Sequence, residues 1–127
     1  MHGIILGGVP ETFAITFGLT SIKRAAGAYR IATHLRNEGW DIEVLDFLPS
    51  WTQEEFEDFM KSRITNKTVF VGYSGVFPQG PNQEKVKNFL GYIKKEYPGV
   101  CTIAGSKNLW VTFPYADVID YFVTGYG

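Results

Sequence analysis

Gly27-Ala-Tyr-Arg-Ile-Ala-Thr-His-Leu-Arg-Asn-Glu-Gly-Trp-Asp-Ile-Glu-Val-Leu-Asp-Phe47 is the stretch on which the reading of the fold turns. Ala28, Ile31, Ala32 and Leu35 recur at spacings of three and four, the period of one helix face. Arg30, Thr33, Arg36, Asn37 and Glu38 take the other face. Gly39 can enter the left-handed conformation that ends a helix, where a Cβ would be strained. Ile42, Val44 and Phe47 then bracket the acidic Glu43 and Asp46, as in a short strand packed on at least one face. A helix that stops at glycine and runs at once into a strand is half of a β-α-β unit.

Working outward, Ile4-Ile5-Leu6 is a short apolar run closed by Gly7-Gly8 and Pro10, which fits a central strand covered on both sides. From Gly8 to Gly27 the pattern is irregular. Phe13, Ile15, Phe17 and Leu19 alternate, but a strand here would break the rhythm, and an extended loop with partly buried aromatics is the better reading. Connections this long are uncommon in compact domains and often belong to binding sites. Downstream, Thr52 and Glu55 form a capping box ahead of a helix whose stripe is Phe56, Phe59, Met60 and Ile64. Thr68 to Val71 is a buried strand ending in Gly72-Tyr-Ser-Gly75. The loop from Val76 to Pro81 is irregular because Pro78 and Pro81 fix φ and remove donors. Asn82 is read as an N-cap, and Val86, Phe89, Leu90 and Ile93 as the third helical stripe, stopped by Pro98-Gly99. Val100 to Ala104 is a fourth strand closed by Gly105-Ser106. A link from Lys107 to Tyr115 leads to the fifth strand, Tyr121 to Thr124.

Strands alternating with helices predict an α/β fold of flavodoxin-like, Rossmann-like type. It is a three-layer sandwich with a five-stranded parallel sheet in the order 2-1-3-4-5. In that order a crevice opens between strands 1 and 3 at their carboxyl ends. The two irregular loops, Gly7 to Gly27 and Ser74 to Pro81, both reach it.

Composition narrows the function. The 127 residues suit one domain, and a 20 % charged, 45 % hydrophobic chain can form a packed core. A formal charge of −1 with scattered Lys and Arg argues against nucleic acid or an anionic membrane as partner. No apolar run reaches membrane-spanning length, and the start lacks a signal-peptide pattern, so a cytoplasmic domain is expected. One cysteine, Cys101, excludes an internal disulfide and an all-cysteine metal cage. It falls in a predicted central strand and reads as a buried, inert thiol. The P-loop and dinucleotide fingerprints are missing, and so is a receiver-type acidic cluster after strand 1. His2 reads as lying at a frayed terminus and His34 as solvated. Asp46, at the end of strand 2, could meet a ribose or amide, although such an acid is ordinarily solvated. Ser74-Gly75, Gly105-Ser106 and Gly125-Tyr-Gly127 all sit at strand carboxyl ends, on one edge of the sheet. Each alone is an ordinary turn; together they mark a place where a ligand can approach the backbone.

Taken with Val71-Gly-Tyr-Ser74, Tyr97-Pro-Gly-Val-Cys-Thr-Ile-Ala-Gly105 and the run from Ala116-Asp117 to Gly127, the opening stretch resembles the N-terminal cobalamin-binding-like domain of radical SAM proteins. The resemblance covers nearly all of the chain apart from Gly8 to Ala26. It implies a domain ahead of a radical SAM barrel, truncated here. The iron–sulfur cluster and S-adenosylmethionine would belong to that barrel, whose three-cysteine motif does not occur in this chain. Aligning the family's Asp-x-His-x-x-Gly glycine to Gly27 puts Ile22 and Arg24 at the acid and histidine places, so no axial histidine is supplied. The serine of the Ser-x-Leu motif corresponds to Ser74, with Val76 at the leucine place, and the later Gly-Gly to Ala104-Gly105. The implied cofactor-binding residues are Gly8, Gly27, Ser74, Gly75, Val76, Gly105, Ser106 and Gly125. A corrinoid there would be held by its nucleotide tail and corrin edges. The alternative is a cofactor-free interaction module, its crevice closed by Phe13, Phe17 and Phe77. An FMN or nucleotide binder is disfavoured because no Ser/Thr-rich phosphate cradle precedes the first helix.

Overall fold

The structure, a computed structural model, describes residues 1–7, 26–74, 81–106 and 115–124. Its elements in chain order are β1 (His2–Gly7), α1 (Ala26–Asn37), β2 (Asp41–Leu45), α2 (Gln53–Arg63), β3 (Thr68–Ser74), α3 (Pro81–Glu96), β4 (Cys101–Ser106) and β5 (Tyr121–Thr124). A single 3₁₀ turn, Leu48–Ser50, lies between β2 and α2. The five strands form one sheet in the order β2-β1-β3-β4-β5, every pair parallel, as the flavodoxin-like reading expects.

Alternation along each strand sorts the side chains into two layers. Ile4, Leu6, Leu45, Val71, Tyr73 and Ala104 join Phe56 and Met60 of α2 and Val86, Phe89, Leu90 and Ile93 of α3 in the larger core. Ile5 and Ile42 join Ala28 and Ala32 of α1 in the smaller one, with Leu35, Trp40, Val44 and Phe70 packed around them. The helical stripes at Phe56/Met60 and at Val86 to Ile93 are therefore buried as expected. Phe56 and Phe89 stack with ring centroids 4.5 Å apart, joining α2 to α3.

Local chemistry sets the boundaries. Gly39 takes φ 94° after α1, the left-handed stop that the sequence called for. Thr52 Oγ1 accepts from Glu55 N–H at 3.1 Å and Glu55 Oε1 accepts from Thr52 N–H at 2.9 Å, the reciprocal capping box. Asp120 ties the turn before β5 to β4. Thr102 N–H donates to its carboxylate at 3.0 Å, and Asp120 N–H donates to Thr102 Oγ1 at 3.0 Å. The Thr102 hydroxyl donates to Val118 O, and Lys94 of α3 pairs with the same carboxylate.

Several expectations are corrected. His2 is not frayed: it is 7 % exposed within β1. Its Nδ1 lies 2.7 Å from Thr68 Oγ1 and its Nε2 lies 2.8 Å from Glu43 Oε2. Pairing begins at the first residues, with Asp41 N–H donating to Met1 O and His2 N–H to Lys67 O, both at 3.0 Å. Ile31 belongs to the apolar spacing of α1 but is 47 % exposed, because only Ala28 and Ala32 come close enough to the sheet to be buried. Phe47 is not a strand residue; it turns left-handed at φ 57°, and Leu45 carries the buried apolar position. Helix α3 starts at Pro81, where a missing N–H costs nothing, so Asn82 is inside the helix rather than its cap. The residues expected to form the long first loop, including Phe13, Ile15, Phe17 and Leu19, lie outside the described residues. Phe77, Pro78 and the link 107–114 do so too.

A Cβ on Gly3 would stand 2.4 Å from the Phe70 ring, which is held edge-on by Trp40 at 5.7 Å. Gly3→Ala is expected to destabilise the fold by about 1–3 kcal/mol through overpacking. Gly99→Ala, with nothing among the described residues within 4 Å of its Cβ position, is expected to be neutral or slightly stabilising. Urea titration of both variants checks the contrast. The Lys94 ammonium and the Thr102 N–H hold the Asp120 carboxyl below its ordinary value of 3.8. A lowered folded value means that its stabilisation is complete above 3.8 and is lost as pH falls through the folded value. Asp120→Asn should lower stability at neutral pH and flatten the decline below 3.8, read from melting midpoints across a pH series.

Candidate functional site

Parallel register brings the carboxyl ends of the strands level. Gly7 pairs with Ser74 and Gly105 pairs with Val123. Tyr73 pairs with Ala104, so Ser74 and Gly105 stand one step further along adjacent strands. Extending the pairing of Leu6 with Leu45 by one residue sets Asp46 beside Gly7. Asp46, Gly7, Ser74 and Gly105 thus form a row across β2, β1, β3 and β4.

Strand alternation assigns the face of this row. Val71 and Tyr73 enter the core under α2 and α3, so Ser74, two residues beyond Gly72, belongs to the α1 side. Ser74 is half-buried and Gly105 is exposed. Among the described residues, a Cβ on Gly105 would meet nothing nearer than the Val123 carbonyl oxygen at 3.9 Å, so their packing does not require glycine there. Gly7, in contrast, is buried, so the row is open at Gly105 and closes towards β1. Gly27 lies in the first turn of α1, which follows β1 and carries no acidic residue in that turn. The start of a helix is its electropositive end.

Of the residues singled out from the sequence, the structure thus sets Ser74 and Gly105 level on adjacent strands at one edge. Ser106 closes β4 and Gly27 opens α1. Gly8, Gly75, Val76 and Gly125 lie outside the described residues. Asp46 was undervalued by the sequence reading. One carboxylate oxygen, Oδ1, accepts from Phe47 N–H at 2.9 Å. The other, Oδ2, is enclosed and meets no donor among the described residues. A polar atom in that state costs about 1–3 kcal/mol. The signal in the sequence was slight, an acid one step past the last apolar residue of β2.

On the opposite face, burial and the nearby Tyr115 hold the Tyr73 hydroxyl firmly protonated. Tyr115, fully buried, is pushed up to about 12 by burial and by Glu84. Neither offers a base at neutral pH. His34 is exposed, on a shallow depression of about 410 Å³ with Tyr29, Arg30, Thr33 and Asn37. A depression of about 650 Å³ between α2 and α3 mixes Glu57 and Glu84 with Lys87 and Lys95, the pattern of a solvated groove. No group of three or more His, Cys, Asp or Glu side chains suited to a metal occurs among the described residues. No described helix is long and apolar enough to cross a membrane.

Cys101 opens β4 and is half-buried rather than buried. Burial and then the Asp120 carboxylate push its thiol up, partly offset by Lys94. Thiolate being the reactive form, Cys101 is expected to react with a disulfide reagent at pH 8 more slowly in the folded chain than in denaturant. Asp120→Asn should speed the folded-state reaction, followed by absorbance. Comparisons with protein-family models, curated proteins and solved structures each found no match to this chain.

Proposed function

We propose that the chain is a cofactor-handling domain that holds a corrinoid at the carboxyl edge of β1 and β3 and serves a larger radical SAM enzyme. The observation that supports it best is the row of Gly7, Ser74 and Gly105 across three adjacent strands, at the point where the strand order reverses. Ligands of open parallel sheets bind in the crevice at that point. In this reading Ser74 donates its hydroxyl to the nucleotide tail and Gly105 lets the tail approach the backbone. The corrin is held at its edges in this reading, because aligning the family's motif to Gly27 puts Arg24 at the histidine position of the sequence. Bound cobalamin would supply the methyl-carrying cobalt; the residues of this chain hold and orient it. The iron–sulfur cluster and S-adenosylmethionine belong, in the same reading, to the barrel domain.

A second reading, a cofactor-free module that docks on such a barrel, is favoured by the far margin of the sheet. Tyr121 and Val123 are 65 % and 49 % exposed, on the face where α1 packs chiefly on β1, β2 and β3. Parallel sheets ordinarily have both faces covered.

Incubation with hydroxocobalamin followed by gel filtration separates the two. Co-elution of the corrinoid spectrum with the protein is expected, and Ser74→Trp should weaken retention at least about tenfold, ~1.4 kcal/mol. No absorbance travelling with the wild-type chain, or retention unchanged by Ser74→Trp, would overturn the corrinoid reading.

A further inference from the structure

We draw no further inference here: the strongest candidate, the apolar patch of Ile103, Tyr121 and Val123 on the α1 side of β4 and β5, carries nothing because nothing among the described residues shows what covers it.

Discussion

Strand β1 is paired along its length with β2 on one side and β3 on the other, and its faces have different neighbours. Ile4 and Leu6 enter the core beneath α2 and α3, while Ile5 enters the layer beneath α1. A strand enclosed on four sides satisfies its backbone only through its neighbours and its side chains only through the layers above and below. Gly3 shows how tight the arrangement is, since the Phe70 ring occupies the space of the missing Cβ. Helix α1 then packs across β1 and β2 as the connection between them, while β3 pairs on the other edge of β1 and so sets β1 inside the sheet rather than at its margin.

The two ends of the sheet are finished differently. At the amino end, His2 bridges Thr68 of β3 and Glu43 of β2, and Arg63 at the end of α2 pairs with the same Glu43 at 3.2 Å. Thr68 Oγ1 also accepts from Thr65 N–H at 3.0 Å. The polar groups there answer one another. The described carboxyl end carries an exposed Gly105 and a half-buried Ser74 beside a buried Gly7 and a carboxylate with one oxygen enclosed and without a donor among the described residues. Side chains that are small, or that have bonding capacity to spare, suit an edge that meets something else. That contrast supports placing function there rather than at the His2 network.

The far side of the sheet depends on polar anchoring more than on helical cover. The Thr102, Asp120 and Val118 bonds hold the turn before β5 against β4, and Lys94 links that turn to α3. Tyr115, Val118 and Ile119 complete the core beneath it. On the α1 side Tyr121 and Val123 remain exposed at the margin of the sheet.

The order of strands and helices was legible because it rests on short-range chemistry. The glycine stop at Gly39, the Thr52–Glu55 box and the apolar stripes of α2 and α3 are each specified within a few residues, and the crossover rule turns their order into a topology. That Ser74 and Gly105 end neighbouring strands followed from the same order. Burial, in contrast, depends on distances between elements. The spacing of Ile31 is that of Ala28 and Ala32, yet only the sheet beneath decides which of them it covers. His2 looked terminal because its partners, Glu43 and Thr68, lie 41 and 66 residues away. Asp46 looked solvated because the left-handed Phe47 and the Trp51 indole that fix it are seen only once the chain has turned. By itself the sequence determined periodicity, caps and strand order, which are local; tertiary structure decided which polar atoms found partners, because those partners come from distant parts of the chain.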